Sequence, residues 1–305
     1  MGVTVQPPAV SDRPTPSRLG SIRYLRPLAI ASLVVNMLLV VTGGVVRLTG
    51  SGLGCPTWPR CDASSFVPQR ALGIHGVIEF GNRTITFLLT AVAIATLVVA
   101  WKHGRPAVTR IALLLALGVP GQAVIGGISV LTQLNPWVVA LHLLVSMGMI
   151  GLAVVLLRRL REGDGPAQLL VPGGVAWLVR ATFIAGWSVL YLGTVVTGSG
   201  PHAGAANAPR NGLDPQAFSQ LHADLVFLFV GLTLAAVLVL KPAHAPRRAF
   251  DAALVLLAIE VAQGAVGFAQ YFSGLPVGLV TLHLLGAAAV SAAMTWLLLG
   301  IRDRA

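Results

Sequence analysis

The sequence predicts an all-α polytopic membrane protein, with eight transmembrane helices arranged as two parallel-repeat four-helix bundles. Three observations predict it. Of 305 residues, 55% are hydrophobic and only 10% charged, whereas an ordinary soluble domain carries about 25% charged residues. Eight apolar runs each reach the roughly 20 residues that a hydrocarbon core requires. Short motifs also recur between the two halves at fixed spacing. The mean hydropathy of +0.82 agrees. Together these features exclude a soluble enzyme, a disordered tail protein and a disulfide-rich secreted module. A net charge of +11 would point to nucleic acid in a soluble chain. Here the arginines lie between apolar runs instead of forming a face, so no nucleic-acid partner is expected.

Residues 1–26 are rich in Pro, Ser and Arg and read as a flexible cytoplasmic tail. They do not form a cleavable signal peptide, because the first apolar run has full span length and no obvious small-residue cleavage site. Spans are expected at 27–46, 77–100, 111–131 and 137–157, within an N-terminal half covering 27–160. A cytoplasmic linker, 161–176, precedes spans at 177–197, 219–240, 251–271 and 278–300, which make a C-terminal half over 177–301. Orientation follows the basic residues. Fifteen of the 21 Lys and Arg lie in the segments shared by the two termini, from Arg13 to Arg26, Lys102 to Arg110, Arg158 to Arg161, Lys241 to Arg248, and Arg302 with Arg304. Both termini are therefore expected in the cytoplasm of a cell-membrane protein.

The repeat is specific. Gln122-x-x-x-Gly126 followed by Leu141-His142-Leu143-Leu144 recurs 141 residues later as Gln263-x-x-x-Gly267 followed by Leu282-His283-Leu284-Leu285. Thr49-Gly50-Ser51-Gly52 recurs as Thr197-Gly198-Ser199-Gly200, each just after a span. Four spans per copy is an even number, so the copies cross in the same sense. Parallel repeats also occur in transporters, and duplication alone does not decide function.

Of seven histidines, His103, His202 and His244 fall in loops and read as solvated. His142, His222 and His283 lie 16, 19 and 19 residues from the next cytoplasmic charge. At about 1.5 Å per residue this places all three near the outer surface. His222 and His283 can face each other across a four-helix interior, the arrangement of an axial pair for heme iron. The competing reading is a histidine hydrogen-bonded between helices; equal depth and repeat symmetry favour ligation. In the first half, Asn82 occupies the place where a counterpart of His222 is expected, and His75 lies two turns further out on the same face. Glu79 falls on that stripe, either paired with Arg83 or aimed into a cofactor pocket as a carboxylate able to take a proton or stabilise a cation. Cys55 and Cys61 are the only cysteines. On the outer side such a pair can persist as a disulfide, and the short loop points to local shape or redox chemistry more than to global stability. Glu260 and Asp224 read as helix-packing residues.

The run Arg47-Leu48-Thr49-Gly50-Ser51-Gly52-Leu53-Gly54-Cys55-Pro56-Thr57-Trp58-Pro59-Arg60-Cys61 resembles the heme A synthase family, as does Thr197-Gly198-Ser199-Gly200-Pro201-His202-Ala203-Gly204. The resemblance covers roughly residues 25–300. It implies oxidation of the C8 methyl of heme O to the formyl of heme A by successive hydroxylations, for terminal oxidase biogenesis. It implies a heme b cofactor in the C-terminal half, with His222 and His283 as axial ligands. The N-terminal half would then take the substrate heme, with His142 as one ligand and heme sites near the outer face. Glu79 matches the family's glutamate implicated in catalysis, and Arg83 the arginine that ends its Glu-x-x-His-Arg motif. Asn82 stands where the family has histidine, so either His75 substitutes or His142 ligates alone. Thr57 replaces a common aspartate. Arg47 lies near the proposed heme sites. The implied partners are a heme O synthase as donor, an electron acceptor and membrane lipid; a homo-oligomer is left open. The alternatives are a di-heme b-type cytochrome that transfers electrons without modifying heme, and a transporter that binds none.

Overall fold

The structure, a computed structural model, describes residues 16–305. Eight helices follow in order: α1 (Pro16–Leu48), α2 (Gly73–His103), α3 (Pro106–Leu131), α4 (Pro136–Arg159), α5 (Gly173–Ser199), α6 (Pro215–Leu240), α7 (Arg247–Phe272) and α8 (Val277–Gly300). Each is long and apolar enough to cross a membrane. Residues 1–15 of the expected tail lie outside the described residues. Residues 16–26 are helical instead of tail-like, because α1 starts with Pro16 in its first turn, where a missing N–H costs nothing.

Local chemistry sets the helix ends. α3, α4 and α6 begin with proline at the first turn. The side chains of Asn135 and Asp214 cap α4 and α6 by accepting from Trp137 N (3.0 Å) and Ala217 N (2.8 Å). α2 stops at Gly104, whose φ of 75° suits a left-handed C-cap. Pro27 and Pro120 sit inside α1 and α3, a placement that membrane helices tolerate when neighbours satisfy the freed carbonyls.

Packing makes two closed rings. In the first half α1 touches α2, α2 touches α3, α3 touches α4, and α4 returns to α1; α5 to α8 repeat this order. The halves meet through α4 against α8, α1 against α8 and α4 against α5. An operation that maps α1 to α5 and α4 to α8 exchanges the last two contacts and leaves the first unchanged, as expected for parallel repeats about an axis along the bundle. Ser291 Oγ crosses this seam to the Met147 carbonyl at 2.8 Å. Apolar side chains fill both rings, with Met147 and Ile150 of α4 belonging to the second half's core.

One feature departs from an all-α chain. Within the expected linker, β1 (Ala167–Leu169) pairs antiparallel with β2 (Arg302–Arg304) beyond the end of α8. Charges surround it at the basic end of the bundle. Arg158 and Arg248 reach Asp303 at 3.2 and 2.8 Å, Arg158 reaches Glu162 at 2.7 Å, and Arg105 reaches Asp164 at 3.0 Å. The sequence marks these arginines only by topology; the structure also makes them a clamp between the halves.

Candidate functional site

The site lies at the opposite, cysteine-loop end of the bundle. His142, His222 and His283 occupy the second turn of α4, α6 and α8, about 10 Å along each axis from its first residue. Each ring sits against a glycine of a neighbouring helix. A Cβ on Gly126 would lie 3.2 Å from Cε1 of His142, one on Gly193 3.3 Å from His222, and one on Gly267 3.5 Å from His283. Gln122 donates to the His142 carbonyl at 3.2 Å, and Gln263 donates to the His283 carbonyl at 2.8 Å. This explains the repeated Gln-x-x-x-Gly. Residues i and i+4 share a helix face, so the amide grips the histidine backbone next door while the glycine leaves room for its ring.

The Nδ1 atoms of His142, His222 and His283 are buried and satisfied by no protein group. An iron bound at Nε2 leaves Nδ1 as the ring N–H, so these atoms mark imidazoles not committed through Nδ1 to a hydrogen bond between helices. His222 on α6 and His283 on α8 lie in the second turns of two helices of the same four-helix ring. Among the described residues no cluster of three or more His, Cys, Asp or Glu could hold a bare metal ion. Two imidazoles, however, suffice for an iron whose other four ligands come from a porphyrin. The donor set of the second half therefore fits a heme.

The first half differs. The order of exposed, half-buried and buried positions is identical over residues 81–90 and 221–230, which puts Asn82 in register with His222. Asn82 Oδ1 accepts from Thr42 Oγ1 of α1 at 2.7 Å. His75 Nδ1 lies 2.9 Å from Ser51 Oγ, which in turn lies 2.8 Å from Thr49 Oγ1. Of the ring nitrogens expected to meet the substrate, only His142 Nδ1 is both buried and without a partner.

Glu79 is buried and fully engaged. Its Oε2 accepts from the Cys55 backbone N–H at 2.6 Å, and its Oε1 accepts from Arg83 Nη2 at 2.6 Å. Arg83 also donates to the carbonyls of Cys55, Thr57 and Arg60 at 3.2–3.3 Å. The i,i+4 pair, one of the two alternatives read from the sequence, thus exists, and it serves to hold the loop closed by the Cys55–Cys61 disulfide. That loop lies over the first bundle, and the Trp58 ring packs on Gly127 of α3, leaving no room for a Cβ. Sequence reasoning missed Gln122, Gln263 and Trp58 as site residues; the Gln-x-x-x-Gly repeat was the signal for the first two.

Arg47 ends α1 but reaches across to the second half. Its Nε donates to the His202 carbonyl at 2.7 Å and its Nη2 to the Thr197 carbonyl at 2.9 Å. It caps the last turn of α5, where carbonyls lack helical partners, and Gly52 N adds a bond to the Gly204 carbonyl at 2.8 Å. Asp224 faces outward and accepts from Gln220 one turn away at 2.8 Å. Glu260 is 3% exposed and accepts from Thr233 Oγ1 at 2.7 Å.

A family model described as COX15-CtaA, cytochrome oxidase assembly protein, matches residues 26–75 and 70–224. The chain is 25% identical over 278 residues to a protein of Bacillus licheniformis named heme A synthase, covering 86% of this chain and 90% of that one. A namesake from Bacillus cereus is 22% identical over 298 residues, 92% of this chain and 95% of its own. A third, from Lysinibacillus sphaericus, is 30% identical over 184 residues, 57% and 58% of the two chains.

Proposed function

The chain belongs to the COX15-CtaA family of cytochrome oxidase assembly proteins, and from that premise we propose how its two halves divide one oxidation. The activity is that of a membrane-bound oxidoreductase converting heme O to heme A, as its relatives are named for. In our reading the second half holds heme b between His222 and His283, and the first half takes heme O with His142 as its ligand. The observation that carries this division is the asymmetry between the halves. Two imidazoles at matching depth on α6 and α8, each with a buried unpartnered nitrogen, stand in one half, and a single such imidazole stands in the other, where Asn82 takes the position of His222.

When bound, heme b supplies one-electron redox chemistry. The protein's own groups do the rest. Gln122 and Gln263 fix the helices that carry His142 and His283. Glu79 is held at one place by the Cys55 amide and Arg83, so its charge is positioned before the substrate arrives. There it takes a proton from, or stabilises positive charge on, the methyl carbon being oxidised. His75 is anchored on Ser51 and steadies the loop, and Asn82 ties α2 to α1. Arg47 joins the loops above the two halves. The basic end faces the cytoplasm, so both heme sites lie toward the outer face. A heme O synthase delivers the substrate, and a one-electron carrier removes the electrons.

The test uses protein purified from cells that make heme O. A b-type Soret band with heme O, a hydroxylated intermediate or heme A among the extracted hemes is the expected result, identified by mass. Heme b alone would instead support an electron-transfer cytochrome, a reading that leaves Glu79 only its structural clasp on the loop.

A further inference from the structure

Glu260 stands out among groups that the reaction above does not use. It lies on α7, and three independent observations bear on it. First, it is a carboxyl 3% exposed within a span, with one oxygen on Thr233 and the other, Oε2, buried without a partner. An ionisable group inside a membrane span is costly and is retained for a task. Second, it shares a helix face with Gln263 and Gly267, the residues that hold the backbone and ring of His283. Seven residues separate Glu260 from Gly267, about 10 Å along the helix. Glu260 therefore lies on the same side of α7 as the His283 cradle, displaced toward the basic end.

Third, the other half lacks it. The repeat register of 141 residues for α3 and α7, and of 140 for α2 and α6, pairs Glu260 with Val119 and Thr233 with Ala93. Both are buried, at 5% and 3% exposure. The same two positions are thus apolar in the first half and a carboxyl–hydroxyl pair in the second. Packing needs alone would not break the repeat in this way, because Val119 and Ala93 fill the equivalent space.

We propose that Glu260 is the proton-accepting partner of the heme b redox cycle, positioned by Thr233 to balance the charge of the electron. The inference rests on the reading that the second half binds heme b. Above the pH at which Glu260 ionises in the oxidised protein, one electron enters the heme and one proton from water enters Glu260 at Oε2, converting carboxylate to neutral carboxyl. When the electron leaves to a one-electron carrier, the proton returns to water. Among the described residues, no cation pairs with Glu260. Of the two helices packed against α7, α6 presents Thr233, and its ionisable His222 and Asp224 lie nine or more residues toward the loop end; α8 carries only His283. On α7 itself, Arg247, Arg248 and Asp251 lie nine or more residues toward the basic end, and Tyr271 eleven toward the other.

The test is potentiometry of the purified holoprotein across pH, with infrared difference spectra of reduced minus oxidised protein. Reduction that takes up a proton makes the midpoint potential fall as pH rises, with a slope approaching about 59 mV per pH unit for one electron and one proton. Expected are that slope in the wild type, a flat profile in Glu260→Gln, and a protonated-carboxyl band that appears on reduction and vanishes in the variant. A wild-type potential independent of pH, or a Glu260→Gln protein that keeps the slope and the band, overturns the proposal. If Glu260→Gln loses its heme, Glu260→Asp carries the test. It is expected to retain heme with the slope displaced along the pH axis, and heme without the slope overturns the proposal equally. A wild-type protein lacking heme b overturns instead the reading of the second half on which this rests.

Discussion

The side-chain amide of Gln263 on α7 donates to the backbone carbonyl of His283 on α8 at 2.8 Å, with Gly267 one turn away against the imidazole. The bond fixes how far α8 slides along α7, and so the depth of the ring. The cradles differ in slack, and this gives a graded prediction. An added Cβ at Gly267 meets His283 at 3.5 Å, an ordinary contact, whereas at Gly193 and Gly126 it meets His222 and His142 at 3.3 and 3.2 Å. Gly267→Ala should therefore keep full heme b. Gly193→Ala should lower heme b occupancy several-fold, and Gly126→Ala should lower substrate heme while sparing heme b. Alanine favours a helix over glycine by about 1 kcal/mol, so a loss would come from the ring contact. Heme per protein, read from the Soret band, checks each; wild-type occupancy in Gly193→Ala would remove the cradle's role.

Replacement of His283 by alanine removes one of the two proposed heme b ligands and should abolish heme b binding, measured by heme extraction. Retention of heme b in that variant would end the assignment of His222 and His283 as its ligands.

Glu79 has two jobs that substitution can separate. Glu79→Ala leaves the Cys55 amide and the Arg83 guanidinium without their carboxylate, at about 1–3 kcal/mol for each buried group left unpaired. The disulfide loop should become more sensitive to protease, and conversion of heme O should cease while heme b stays. Glu79→Gln keeps an acceptor for the Cys55 N–H but no charge. It should restore protease resistance without restoring conversion. Recovery of both by Gln would reduce Glu79 to a structural clasp.

The eight spans, the repeat and the shared depth of three histidines were legible because they depend on hydropathy and on spacing along one chain. The clasp was only half legible. Glu79 and Arg83 are four residues apart and announce themselves, but the Cys55 amide that Glu79 also holds is 24 residues away and carries no side-chain signature. Arg47 shows the same limit more sharply. Its position after a span suggested a neighbouring heme, whereas its carbonyl partners lie 150 and 155 residues on, in the other half. The strands β1 and β2 are three residues each, too short for any alternating pattern, and their pairing closes the chain end onto the linker. Residues 16–26 read as tail because they lack apolar length, yet α1 continues through them.

Arg47 therefore predicts a coupling between halves. Arg47→Ala removes two charge-assisted bonds to the Thr197 and His202 carbonyls, each contributing about 1.5–3 kcal/mol. Lysine, a single ammonium without the planar fork, cannot reproduce the pair. Both variants should lower the melting temperature in detergent, with the alanine variant the lower. The 200–210 loop should gain hydrogen exchange although the substitution lies in the first half. Exchange confined to residues near position 47 would contradict the cross-half clasp.

At the basic end, pH should act through Asp303. Its carboxyl is held below the usual aspartate range by the Arg304 backbone N–H, and further by Arg248 and Arg158. A carboxyl lowered on folding contributes stability that is fully present above its unfolded value, near 3.9, and that is lost as pH falls through the folded value. The group is half-exposed and its ion pairs are screened, so the contribution is modest. Asp303→Asn should accordingly melt slightly below the wild type at pH 7, and the gap should close below about pH 4 as the native carboxyl is itself neutralised. High salt at pH 7 should narrow the gap too, since exposed pairs weaken with ionic strength. A gap that persists unchanged at pH 3 would place the role of Asp303 in strand geometry instead of charge.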